Sequence, residues 1–327
     1  MERQLKGNPD LSIIVTCYNK REFIADCINS ILYQDFQNYE MIVVDDGSTD
    51  GSFSIVKEFS ADPKVKAILS NHAGVSAARN LGIKNATGNI LLFLDGDCLL
   101  EDGTLSKLLC SIKDIGADCV GGELRAINDC NSIAKTVELM QNEVQRKWPF
   151  GAFVAYKREA VEKAGGFDEH MKAGEDVGFF LAVKKLGFKC AVSSEFGAKT
   201  VNPESFFDFL RQRFVWGMGF AQLTEKHKET FTKRIKLCFI LSFLVLTSPL
   251  LILIDAKLIF VFLTLLTLDL LRFVPQAIRI ARRAADKTHS LLIPPLRFLN
   301  SLAYFFGWSY WKIFELLGKN PKLKAFN

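Results

Sequence analysis

Apolar residues are arranged in two ways along this chain, and the change falls near residue 236. Before it, short apolar runs alternate with segments whose apolar positions recur every three or four residues. Runs at 11–16, 41–44, 65–69 and 90–94 are too short for ordinary helices and read as strands. Ile90 to Leu94 is apolar throughout and led in by Gly88, as for a strand buried on both faces of a parallel sheet. Segment 22–34 carries Phe23, Ile24, Cys27, Ile28, Ile31 and Leu32 at helical spacing, and 52–59 and 75–85 predict two further helices. Thr49 or Asp50 is the expected cap of the helix at Ser52. Such alternation predicts βαβ units with right-handed crossovers. Further on, 151–156 reads as a strand and 157–163 as a short helix. Gly165-Gly166-Phe167-Asp168 then predicts a tight turn, and Glu175-Asp176 stands at the start of a helix over 177–186.

After residue 236 the runs lengthen. Residues 237–254 hold no charge, 255–257 (Asp-Ala-Lys) make a minimal turn, and 258–274 hold only Asp269 and Arg272. Each run is near the ~20 residues that span a bilayer core, so a transmembrane hairpin is expected. Lys226, Lys228, Lys233, Arg234 and Lys236 precede it, and Arg279, Arg282, Arg283 and Lys287 follow. By the positive-inside rule both ends are cytoplasmic, in a multi-pass protein of the cell membrane. Segment 291–317 is apolar but broken by Pro294, Pro295, Arg297 and Asn300, and is interfacial or a third span. Segment 206–223, aromatic with Arg211 and Arg213 interleaved, suits a helix in the headgroup region or one packed on the preceding domain. The organisation expected is a domain over 1–202, a linking helix over 203–236 and a membrane region over 237–327.

Composition adds limits. A net charge of +5 over 327 residues is too mild to point to nucleic acid. Met1 to Asp10 is polar and lacks the apolar core of a signal peptide, so the first domain is expected in the cytoplasm. Eight cysteines without a Cys-x-x-Cys pair argue against a zinc site or a disulfide framework.

The chemistry gathers at strand ends. Tyr18 and Asn19, Asp45 and Asp46, Asn71, then Asp95 and Asp97 each follow a predicted strand, where open α/β sheets bind ligands. Asp95-Gly96-Asp97 taken alone is better read as a turn. Among the other clusters it offers two hard oxygen ligands for Mg²⁺ or Mn²⁺ shared with nucleotide phosphates. No Gly-x-Gly-x-x-Gly follows the first strands and no Gly-Lys-Ser/Thr loop exists, which disfavours a dinucleotide fold or a P-loop NTPase.

VTCYN (15–19), VVDDGSTDGS (43–52), NHAGVSAARNLGI (71–83), TGNILLFLDGDC (87–98), GGFDE (165–169) and Glu175-Asp176 resemble, in this order, the motifs of family 2 glycosyltransferases. The resemblance covers residues 11 to about 190; Thr16 stands where many members have proline. It implies a GT-A fold, Rossmann-like with a mainly parallel central sheet, here followed by an all-α membrane region. It also implies an inverting, metal-dependent enzyme using a nucleotide sugar, with UDP or GDP as the nucleotide. Thr16, Tyr18 and Asn19 would lie beside the nucleoside, with Asp45 or Asp46 bonded to base or ribose. Arg79 would stand near the diphosphate; otherwise it is a solvated helix residue. Asp95 and Asp97 would match the family's Asp-x-Asp, with Asp97 the direct metal ligand. His72 is a ligand contact or a plain loop residue. Asp176 would be the base that deprotonates the acceptor, with Glu175 the alternative; both acids also suit a helix N-terminus.

Processive members carry Gln-x-x-Arg-Trp near residue 212. Here the stretch is Gln212-Arg213-Phe214-Val215-Trp216, without arginine before tryptophan, which favours transfer of one sugar. The expected acceptor is lipid-linked or a cell-envelope glycan. The alternatives are a polyprenyl-phosphate glycosyltransferase, a processive polysaccharide synthase and a non-catalytic sugar-nucleotide binding protein.

Overall fold

The computed structural model describes residues 8–145, 149, 151, 153–228, 233–249, 259–283 and 288–318. The chain opens with β1 (Leu11–Cys17), α1 (Ile24–Leu32), β2 (Tyr39–Asp45), α2 (Ser52–Phe59), β3 (Val65–Leu69), α3 (Val75–Asn85) and β4 (Ile90–Asp95). It continues through β5 (Leu99–Leu100), α4 (Thr104–Ile115), β6 (Cys119–Ala126), α5 (Ser132–Gln145), β7 (Phe153–Lys157), α6 (Arg158–Ala164), α7 (Glu175–Lys185) and β8 (Cys190–Thr200). The strands form one sheet in the order β3-β2-β1-β4-β7-β6-β8-β5. β3, β2, β1 and β4 are mutually parallel, so all four carboxyl ends reach one edge. β7 then enters antiparallel to β4 and β6, and β8 runs parallel to β6.

β4 shows why its run is wholly apolar. Leu92 and Leu94 enter the core built with Ile24, Ile28 and Ile31, while Leu91 and Phe93 enter the opposite core with Ile14, Ala78 and Phe167. With helices on both faces, neither set of side chains meets water. The cap of α2 differs from expectation: Gly51, at φ +92°, is the N-cap. Asp50 acts one residue earlier, its Oδ1 accepting from the Ser52 amide at 2.9 Å. The turn at Gly165-Gly166 has φ of +81° and +80°, a left-handed pair that glycine adopts without strain.

The C-terminal helices are α8 (Phe206–Lys226), α9 (Lys233–Thr247), α10 (Ile259–Leu271), α11 (Val274–Arg283), a 3₁₀ turn at Thr288–Leu292, and α12 (Ile293–Leu316). α8 and α12 lie along each other. A Cβ on Gly217 would fall on the Tyr304 carbonyl oxygen and one on Gly307 on that of Phe214, so two glycines set how closely the backbones approach. α8 turns Phe209, Arg213, Met218 and Gln222 inward, while Phe206 and Phe207 at its start are exposed. Segment 291–317 is continuous helix from Ile293, with its prolines in the first turn where no helical hydrogen bond is lost. It buries Leu296, Ala303 and Trp311.

Among the described residues one stretch, Ile259–Arg282, is long and apolar enough to cross a membrane, with mean hydropathy 1.6 over its best window. Its one buried acid, Asp269, pairs with Arg272 at 2.5 Å. The expected multi-pass hairpin is not supported. Residues 250–258, with the expected turn, lie outside the described residues.

Candidate active site

The parallel strand ends bring most of the predicted donor-side residues to one edge. Thr16, paired in register with Asp95, donates its Oγ1 to Asp95 Oδ1 at 3.3 Å. Tyr18 stacks on His72, with ring centroids 4.3 Å apart and planes inclined by 28°. Asn19, at φ +50°, accepts the Thr49 amide on its Oδ1 at 2.9 Å. Asp45 is fully buried, and its Oδ1 accepts the Ser48 amide at 2.8 Å. Asp46 accepts from Ser70 Oγ at 2.7 Å and from the amides of Ala73 and Gly74 at 2.9 and 2.8 Å. Both acids thus shape the loops that carry Tyr18 and His72.

Arg79 is buried at 4% exposure, which excludes the solvated alternative. Its Nη1 donates to Glu175 Oε1 at 2.7 Å and its Nη2 to Asp95 Oδ1 at 3.0 Å, tying α3 to the ends of β4 and α7. Burial alone would weaken its hold on a proton, but the charges of Asp95, Glu175 and Asp176 more than offset this and raise its pKa. Asp97 is held by Lys20 Nζ at 2.5 Å. Asp176 has no ion-pair partner among the described residues and faces a cavity. Burial first, then the charge of Glu175, push its carboxyl up to about 7, with Arg79 opposing. At neutral pH such a group shares its time between acid and base, the range suited to proton transfer.

The cavity, about 520 Å³, has two walls. One is the acid row Asp95, Asp97, Glu175 and Asp176 with Arg79. The other comes from α8 and α12 and presents Gln212, Arg213, Trp216, Arg297, Asn300 and Tyr304. The sequence reading missed Lys20 and this second wall. The signal was present in the arginines among the aromatics of 206–223 and in Arg297 and Asn300 interrupting 291–317. Of the two placements expected for 206–223, packing on the preceding domain is the one found, with Arg213 and Arg297 lining the cavity and Arg211 exposed. The cysteines with described side chains are all free. Burial pushes Cys17 up to about 12, which leaves it a poor nucleophile.

No group of three or more His, Cys, Asp or Glu suited to an ion occurs among the described residues. Asp95 and Asp97, both open to the cavity, fit an ion that takes its remaining oxygens from a diphosphate and water.

The sequence profile of Glycosyl transferase family 2 matches residues 12–175, and that of Glycosyl transferase family group 2 matches residues 131–311. The chain belongs to glycosyl transferase family 2. Its relatives include the glycosyltransferase AglE of Haloferax volcanii, 29% identical over 66% of this chain and 74% of that protein. Another is the uncharacterized glycosyltransferase EpsJ of Bacillus subtilis, 31% identical over 53% of this chain and 56% of that protein. It also matches glycosyltransferase GlyA of Streptococcus pneumoniae, of whose length it spans 17%. The mannosyltransferase PcManGT from Pyrobaculum calidifontis, solved in complex with GDP-Man and Mn²⁺, aligns at TM-score 0.60 and 20% identity, covering 96% of this chain and 89% of that one. The fold of this family 2 glycosyltransferase is therefore GT-A-like, with a helical region after it, and the enzyme class is sugar transfer from nucleotide sugars.

Proposed function

We propose that this enzyme is an inverting hexosyltransferase that moves one sugar from a UDP- or GDP-sugar to a lipid-linked or cell-envelope glycan. In this reading residues 1–202 are catalytic, 203–236 link, and 237–327 form the membrane region. The catalytic part works on the cytoplasmic side, and 259–282 holds it at the membrane through its apolar surface without carrying the chain across, since α8 before it and α12 after it line one cavity.

The reading rests chiefly on Asp176. Glu175 is committed to Arg79 at 2.7 Å, whereas Asp176 faces the cavity with no ion-pair partner among the described residues, its local contact being the Val177 amide. Asp176 accepts the proton of the acceptor hydroxyl as that oxygen attacks the anomeric carbon. The bond from that carbon to the diphosphate oxygen breaks on the opposite face, and the nucleoside diphosphate leaves with the electron pair. Arg79 sets one positive charge against Glu175 and Asp95, and Lys20 another against Asp97, which lessens the repulsion of an anionic donor by the acid row. Asp95 and Asp97 would hold Mg²⁺ or Mn²⁺, which neutralises charge on the leaving diphosphate when bound. The Mn²⁺ and GDP-mannose of the Pyrobaculum relative support that choice.

The test is release of nucleoside diphosphate from a panel of UDP- and GDP-sugars with extracted membrane lipids present. Asp97→Asn, or excess chelator, is expected to lower release by on the order of 10²-fold or more, with the fold intact. Full activity under either condition would remove the metal from this mechanism, and a product of unchanged anomeric configuration would remove inversion.

A further inference from the structure

The helical wall holds a charge that the transfer chemistry above does not use. Arg213 is 4% exposed and lines the cavity, yet no carboxylate pairs with it among the described residues. Its guanidinium lies 4.0 Å from the centroid of the Trp216 ring and 5.0 Å from that of Phe209. Its Nε and Nη2 have no hydrogen-bond partner. Arg297, from α12, lines the same cavity and donates Nη2 to the Met140 carbonyl at 3.0 Å. Burial first, and also the charge of Arg297, bring the Arg213 pKa down to about 10, with Tyr304 acting the other way. Arg213 hydrogen-bonds Tyr304 but no carboxylate; a buried guanidinium so placed beside a second one is costly, and donors left unsatisfied, as Nε and Nη2 are, suit an anion or water. The planar fork of arginine suits the oxygens of a phosphate, and two arginines on different helices suit one group between them.

The position separates this wall from the donor end. Tyr304 is close enough to Asp176, Arg213 and Arg297 to feel the charge of each. Asp176 in turn feels Glu175, Arg79 and Asp95. Asp176 thus has both Asp95 and Tyr304 within reach of its charge, whereas the groups felt by Arg213 are Tyr304 and Arg297 and no donor-side acid.

We propose that Arg213 and Arg297 form an anion subsite at the acceptor end of the cavity, which holds a phosphate carried by the acceptor. This rests on the assignment of Asp95 and Asp97 to the donor and Asp176 to the acceptor. The two sources of a phosphate here are the acceptor and the leaving diphosphate of the donor, and the experiment separates them.

The full chain in detergent is titrated with decyl phosphate, with decanol as the uncharged control, and Trp216 fluorescence is followed, with Trp216→Phe identifying its share of the signal. GDP and UDP with Mn²⁺ are titrated separately by calorimetry. Arg213→Gln is expected to weaken decyl phosphate binding tenfold or more and leave nucleoside diphosphate affinity within twofold. Arg213→Lys should recover part of the loss, and Arg297→Gln, which spares the Arg213 side chain, should weaken the probe in the same direction. Equal binding of decanol and decyl phosphate to the wild type would overturn the proposal. So would a tenfold loss of nucleoside diphosphate affinity in Arg213→Gln with decyl phosphate unchanged, which assigns the arginines to the donor. If Asp176→Asn abolishes neither transfer nor probe binding, the base assignment fails while the anion subsite stands. If the probe fails to bind a wild type that turns over, the subsite fails while the transfer reading stands.

Discussion

The two walls of the cavity are built by opposite means. On the strand side, Asp95 and Asp97 stand at the carboxyl end of β4 and Glu175 and Asp176 at the start of α7, and each except Asp176 has an ion-pair partner among the described residues. On the helix side, cations and aromatics come from α8 and α12, 80 or more residues apart in sequence, and they meet only because Gly217 and Gly307 let the two backbones touch. The first wall is preorganised by the sheet itself. The second depends on one helix seam, so it is the part that a single methyl group can displace.

The sharpest way to break the comparison is Asp176→Asn. Transfer is expected to fall by about 10²- to 10⁴-fold, the usual contribution of a positioned base, while calorimetry finds donor binding near normal. If Glu175→Gln is the dead variant and Asp176→Asn stays active, the two roles are exchanged. In the wild type, kcat/KM should rise with pH to a plateau above about 7, because the base must be ionised. Stability should move the other way. The folded carboxyl binds its proton more tightly than the unfolded chain, so stability falls as pH rises from the ordinary carboxylate range to about 7. Asp176→Asn should remove that slope in thermal melts taken across the range.

Arg79→Met tests the strand wall through stability. Removing the guanidinium leaves the buried Glu175 carboxylate and the partly buried Asp95 without their partner. A loss of about 3–5 kcal/mol is the usual result of breaking a buried ion pair from one side. A melting temperature within a degree or two of wild type would show that water takes the guanidinium's place, and that the strand wall is not held together through Arg79.

Gly217→Ala tests the seam on the helix side. The added Cβ meets the Tyr304 carbonyl oxygen, a backbone atom that cannot swing aside. A cost of about 1–3 kcal/mol is expected for such overpacking, with a larger effect on acceptor than on donor affinity. Unchanged acceptor kinetics would show that the position of α12 does not matter to the site.

Much of the strand wall was legible from local pattern. β3, α2 and α3 have the predicted bounds, and β1, β2 and β4 differ from the reading by one or two residues. Short apolar runs and helical spacing are local, and a parallel sheet needs nothing else to bring its strand ends together. That is why Thr16, Asp95 and Asp97 could be named from motifs and found on one edge. Tertiary structure decided what no local pattern carries: that Arg79 bridges Asp95 and Glu175, that Lys20 holds Asp97, and that Glu175 is tied while Asp176 is not. It also decided which way α8 and α12 face. An amphipathic helix rich in aromatics and arginine has the same sequence signature whether its partner is lipid or protein. Only in the packed structure, with Gly217 against Tyr304 and Gly307 against Phe214, are Arg213 and Arg297 seen to line the cavity.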